Sequence, residues 1–179
     1  MDVFDVERLL QEGKYNEVLQ VVESLEVEER IVPLDLTPYQ LLKCAALNKQ
    51  GHFDEALQLA EHIRKESQEN GEILHVVDAC IVMAEALWRL ERLEESTNVI
   101  ALGEQALTSL VDPLPSMVAK REAALRFHHG TICDLKGEFD QALEHYQRSL
   151  ILREQLGDKP DMAMSLNAIG LIYRQKGEL

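Results

Sequence analysis

His128 and His129 are followed by Cys133, the one group of neighbouring side chains in this sequence with nucleophilic or metal-ligating character. His129 and Cys133 are four residues apart, so a helix would set an imidazole and a thiol side by side, as two metal ligands can be. Spacing assigns no third ligand, and a Cys–His nucleophile would also need an orienting partner and an oxyanion hole. Both positions fall where helical hairpins pack together, so we expect core residues rather than a metal site. His145, next to Tyr146, reads as helix packing rather than acid–base chemistry. The sequence has no Gly-rich phosphate loop, nucleophile elbow or HExxH helix. The expectation is no catalytic residue, no cofactor and no metal.

The elements that would hold these residues recur. Gly13-Lys14-Tyr15-Asn16-Glu17-Val18-Leu19 returns as Gly51-His52-Phe53-Asp54-Glu55-Ala56-Leu57 and as Gly137-Glu138-Phe139-Asp140-Gln141-Ala142-Leu143. A degenerate copy runs Glu91-Arg92-Leu93-Glu94-Glu95-Ser96, and a further one opens at Gly177-Glu178-Leu179. Each Gly suits the left-handed end of a helix, and the aromatic or Leu two residues on would plug the joint. Asn16, Asp54 and Asp140 are expected to N-cap the next helix, and Ala56 and Ala142 to allow its close approach. Thr37-Pro38 and Lys159-Pro160 read as helix starts, Asn70-Gly71 as a turn, and 112–116 as a break between units. Upstream of each turn the apolar residues run at helical spacing, as Cys80, Met83, Ala84 and Leu87 do, and no strand-like alternation competes. Nine helices follow, near 3–12, 16–28, 38–50, 54–69, 72–90, 94–111, 117–136, 140–156 and 160–176.

Composition agrees and narrows the function. With 46% hydrophobic and 28% charged residues the chain is globular, and 9 Gly, 5 Pro and 5% aromatics suit neither an all-β sandwich nor a low-complexity chain. Asp and Glu number 32 against 18 Lys and Arg, a net charge of −14, which argues against binding nucleic acid or an anionic membrane. Residues 1–110 hold 22 acidic and 9 basic residues, and the rest is near balance. That asymmetry is either a solvated surface or a field that steers a basic partner. Cys44, Cys80 and Cys133 are odd in number and widely spaced, which fits free thiols in a reducing, cytoplasmic setting. The acidic, amphipathic start MDVFDVERLL lacks the pattern of a signal peptide.

The recurring small, aromatic and Gly positions resemble the tetratricopeptide repeat. Gly130, Gly137, Phe139, Ala142 and Tyr146 match its pattern best, and Leu166, Ile169, Gly170 and Tyr173 match its first helix. The second unit keeps Gly51, Phe53 and Ala56 but has Cys44 and Leu47 at the earlier positions, and the first and third are looser. Turn-to-turn intervals of 38, 40, 46 and 40 residues exceed the family's usual 34 and resemble the roughly 40-residue kinesin-light-chain variety. The resemblance implies an all-α, right-handed superhelical solenoid of antiparallel hairpins. It would form a single array over 1–179, with units near 1–30, 37–70, 72–111, 116–157 and a half unit 160–179. It also implies a non-catalytic scaffold that binds a peptide or partner domain.

In such arrays the first helix of each hairpin lines the concave surface. Here that face would offer Leu41, Ala45 and Asn48, then Asp78, Ile81, Glu85 and Trp88, then Ala124, Phe127, Thr131 and Asp134, and finally Asn167, Leu171 and Arg174. An aromatic pair, Trp88 and Phe127, beside Asp78, Glu85 and Asp134 would suit a peptide with an apolar anchor and a Lys or Arg. The other reading is that Trp88 packs into the next unit. The family's carboxylate clamp needs Lys and Asn at positions that here hold Leu41, Ala45, Ile81, Glu85, Phe127 and Thr131, so a clamp is not expected.

The last helix carries Met162, Met164, Leu166, Ile169, Leu171, Ile172 and Tyr173 and is apolar on more than one face. Leu179 stands where Tyr15, Phe53 and Phe139 stand, at the joint to a helix that does not follow. Truncation of a longer array, or self-association through 160–179, would each account for that face. Two functions stay open beside the scaffold: an assembly module, and the regulatory arm of a longer enzyme or transcription factor.

Overall fold

A computed structural model describes residues 1–29, 35–111 and 113–177. Leu179 and Asp112 lie outside the described residues. Within them the chain forms α1 (Val3–Gln11), α2 (Tyr15–Glu29), α3 (Thr37–Gln50), α4 (Phe53–Asn70), α5 (Ile73–Arg89), α6 (Leu93–Thr108), α7 (Pro115–Leu135), α8 (Phe139–Leu156) and α9 (Lys159–Lys176). Each helix packs on its neighbours in sequence, and the odd-numbered helices also pack on one another, α1 on α3, α3 on α5 and α5 on α7. This is the all-α solenoid expected from the repeats.

The turn inside each hairpin is one hydrogen-bonded device, which also closes α4 at Gly71 and α8 at Gly157. At Gly51 the N–H donates to the Asn48 carbonyl, and the next N–H, of His52, reaches back to Leu47. The same pair of bonds closes α1 at Gly13 and α7 at Gly137. It also closes α5 at Glu91, which adopts a φ of 61° although it carries a side chain. Geometry has been kept there where the glycine has not, at a cost of about 1–2 kcal/mol for a left-handed L-residue. Five residues after each turn inside a hairpin comes a fully buried residue, namely Val18, Ala56, Ser96 and Ala142. Ser96 stays buried by donating its hydroxyl to the Ala84 carbonyl at 2.9 Å.

The N-caps are not where they were expected. α4 and α8 begin at the aromatic, after His52 and Glu138, and neither flanking side chain makes a capping bond. The chain passes from the left-handed turn into helix within two residues, so Asp54 and Asp140 already lie inside the first turn. They favour it as negative charge at the positive end of the helix dipole. Asn16 is likewise helical, and its Oδ1 accepts from Gln50 Nε2 at 2.7 Å. At α3 the flanking residue is Leu36, and the Thr37 N–H donates to Asp35 Oδ1. Asp158, one residue before the expected start, caps α9 by accepting from the Asp161 N–H.

The core is a chain of overlapping clusters, as a solenoid requires. Val6, Val18, Val22, Tyr39 and Ala46 join α1 to α3, and Cys44, Ile63, Cys80, Met83 and Leu87 join α3 to α5. Val77, Ile100, Leu125 and Ile132 carry it to α7. Cys133, Leu143, Tyr146 and Ile172 carry it to α9.

Candidate functional site

The residues expected to line a groove come together on α5 and α7, where both helices also supply their partners. Asp78 on α5 pairs with Arg121 of α7. Burial pushes the Asp78 carboxyl up, and Arg121 opposes that shift. Glu85, two turns further on, takes Lys49 of α3 at 2.6 Å. Burial works against the Glu85 charge, but the Lys49 and Arg89 cations help to outweigh it and hold the carboxyl below its usual range. The two carboxylates are thus neutralised from opposite sides, and they tie α3, α5 and α7 together.

Trp88 is half-buried against the α5–α7 core. Its indole N–H donates to His128 Nδ1 at 3.2 Å. Because that nitrogen accepts, the His128 proton sits on Nε2. Burial depresses this imidazole to about 4, so it is neutral at ordinary pH. The Arg89 guanidinium lies over the Trp88 ring, 4.3 Å from its centroid, so the ring has a cation on its face and a hydrogen bond at its edge. Ile81, also half-buried, packs into the same cluster.

Phe127 does not stack on Trp88. Its ring meets Tyr146 of α8 at 5.4 Å and the edge of His128 at 5.9 Å, and the Arg153 guanidinium lies 4.8 Å from its centroid. Thr131 donates to the Phe127 carbonyl and accepts from the Tyr146 hydroxyl. Arg153 itself is buried and donates at 2.7 Å both to the Asp161 carbonyl and to Ser165 Oγ, which locks α8 to α9. Asp134 is half-buried, and burial pushes its carboxyl up. Asn167 and Arg174 are exposed and Leu171 half-buried on α9, which packs on α8 rather than beside Trp88.

Sequence reasoning missed the polar partners. Lys49, Arg121 and His128 lie 36, 43 and 40 residues from the groups they meet, roughly one repeat in each case. The repeat interval itself was the signal that could have found them. It also missed an ion pair made by the first helix, in which Lys120 of α7 meets Glu7 of α1 at 3.3 Å.

The expected core pair His129 and Cys133 is joined by His145 of α8. The two imidazoles are stacked with centroids 4.0 Å apart, and the three potential donor atoms lie within 4.8 Å of one another. A third donor that spacing could not assign is therefore present across the hairpin. Among the described residues no helix is long and apolar enough to cross a membrane.

Comparison with known proteins follows the same lines. Residues 121–179 match the family model described as Tetratricopeptide repeat. Among solved structures, the crystal structure of BtubC (BKLC) from P. vanneervenii resembles this chain with a TM-score of 0.69. The likeness covers 97% of this chain and 70% of that one at 17% identity, and so speaks to the fold. No curated protein matches the sequence. Residues 121–179 thus carry the tetratricopeptide-repeat pattern, and the chain as a whole folds as an all-α solenoid like that neighbour.

Proposed function

We propose that the chain is a non-catalytic interaction scaffold, which docks a peptide or partner surface along the face shared by α3, α5, α7 and α9. Tetratricopeptide repeats generally mediate protein–protein interaction, and that general role supports the reading. The observation that carries it is Trp88, an aromatic held by His128 and Arg89 yet only half-buried. A ring fixed in this way loses little entropy when a partner covers it. In this reading Asp78, Ile81, Glu85, Phe127, Thr131 and Asp134 complete the face along α5 and α7, and Asn167, Leu171 and Arg174 extend it along α9. Since Asp78 and Glu85 already hold Arg121 and Lys49, a basic partner gains there by exchanging ion pairs, and the apolar anchor supplies most of the affinity. Three buried free thiols support a reducing compartment such as the cytoplasm.

The experiment is a peptide-library selection on the whole chain, with binding read by the fluorescence anisotropy of a dye on the peptide. Selected peptides should share an apolar anchor and bind Trp88→Ala at least tenfold more weakly, while that variant still unfolds cooperatively. Peptides that bind Trp88→Ala as well as the parent would place the docking face elsewhere.

A second reading, self-association, is favoured by α9. Met164 and Leu166 are 45% and 52% exposed on a helix whose fully buried residues are Ser165 and Ile172. Apolar side chains of this size left in water favour a second copy or a partner.

A further inference from the structure

We propose that His129, Cys133 and His145 form a zinc(II) site that staples α7 to α8. His129 and Cys133 stand one turn apart on α7, and His145 reaches them from α8, with all three donor atoms within 4.8 Å of one another. A tetrahedral zinc with bonds of about 2.0–2.1 Å to nitrogen and 2.3 Å to sulfur sets its donors roughly 3.3–3.6 Å apart. Closing that gap takes about 1 Å of movement, which rotation of the two ring side chains supplies without moving a helix.

A second observation points the same way. His129 Nδ1 is buried and has no hydrogen-bond partner, a state that costs energy unless something occupies it. Its ring lies against the His145 ring, nearly parallel. Both rings are half-buried, and a neutral imidazole offers a ring nitrogen as a metal ligand. The charged groups nearby largely cancel. Arg126 is paired with Glu104 at 3.1 Å, and Lys136 and Glu138 bring opposite charges near the cluster.

His145 also lines an open surface depression with Glu122, Arg126, Glu144, Arg148 and Ile151, so an ion has a path to the cluster. A soft thiolate with two imidazoles suits zinc over calcium or magnesium, which prefer oxygen donors. On binding, the Cys133 thiol loses its proton to solvent and the sulfur forms the metal bond. One proton is released per ion, and the fourth position is left to water. The bound ion would fasten the hairpin that carries both Phe127 and Tyr146.

The test uses the full chain, reduced and stripped by a chelator, titrated with Co²⁺ alone. One equivalent should produce a thiolate-to-cobalt charge-transfer band in the near ultraviolet, and Zn²⁺ should abolish it by displacement. Zn²⁺ should also raise the melting temperature of the stripped protein. Cys133→Ser should remove the band, and His145→Gln should weaken binding at least tenfold, whereas Cys44→Ser and Cys80→Ser should leave both unchanged. His145→Gln changes a half-buried side chain, so it keeps the test decisive should Cys133→Ser unfold, with far-ultraviolet circular dichroism as the check. Absence of the band in the parent chain, its survival in Cys133→Ser, or unaltered affinity in His145→Gln would overturn the site.

Discussion

The ring of Tyr146 lies so close on Gly130 that a Cβ added there would meet its Cδ1 and Cε1 at 2.8 Å. Two helices of one hairpin meet at this point, and the absence of a side chain on α7 is what lets the α8 tyrosine lie fully inside the core. Gly130→Ala therefore forces the ring off its seat. We expect a net loss of about 1–2 kcal/mol in urea unfolding, because overpacking outweighs the gain in helix propensity. In a Tyr146→Leu background the same change should be neutral or stabilising, and a double-mutant cycle measures the coupling.

Glu91→Gly should do the opposite. Its φ of 61° is tolerable for glycine and strained for glutamate, and Glu91 is exposed, so little packing is lost. The gain should be about 0.5–1 kcal/mol once the greater freedom of glycine in the unfolded chain is deducted. Thermal unfolding shows it directly as a higher midpoint.

Acid should weaken the fold through His128. Burial depresses its imidazole to about 4 in the folded chain, against about 6.5 when unfolded. The unfolded state thus binds the proton more tightly. The stability from a neutral His128 is complete above pH 6.5 and is lost progressively as pH falls toward 4, on the order of 3 kcal/mol in all. Urea midpoints between pH 7 and 4, taken in chelator, should fall less steeply for His128→Gln, and the fluorescence of Trp88 should report the parting of its hydrogen bond.

The thiols should be silent in the native protein. Burial pushes Cys44 up to about 12 and Cys80 up to about 11, and Cys133 is also buried and raised. Iodoacetamide at neutral pH should label none of the three at an appreciable rate until urea unfolds the chain, after which all three react. Rapid labelling of Cys44 in the folded state would show that the α3–α5 core opens.

Association, if α9 drives it, should depend on its exposed apolar residues. Light scattering across a concentration series should show mass rising above that of the monomer, and Leu166→Glu or Met164→Glu should hold it there. Ile169→Glu is the wrong probe, because Ile169 packs inward on the α7–α9 core and its loss would unfold the helix. A monomer at every concentration in the parent chain would leave the α9 surface without a role in self-association.

Periodicity and turn chemistry determined the helices themselves. Apolar residues at helical spacing mark the faces, and a residue in left-handed conformation must follow each hairpin's first helix, so Gly13, Gly51 and Gly137 announce the joints even where Glu91 has replaced the glycine. These are local properties, settled within a few residues of one another, and a single chain displays them. Which side chains meet across the joints was decided only by tertiary packing. Lys49 reaches Glu85, Trp88 reaches His128, and His145 reaches His129 because stacked hairpins bring residues from neighbouring helices to one level. Those distances depend on helix length and rotation about the helix axis. Small shifts in either move a side chain to another neighbour, and no local pattern records them.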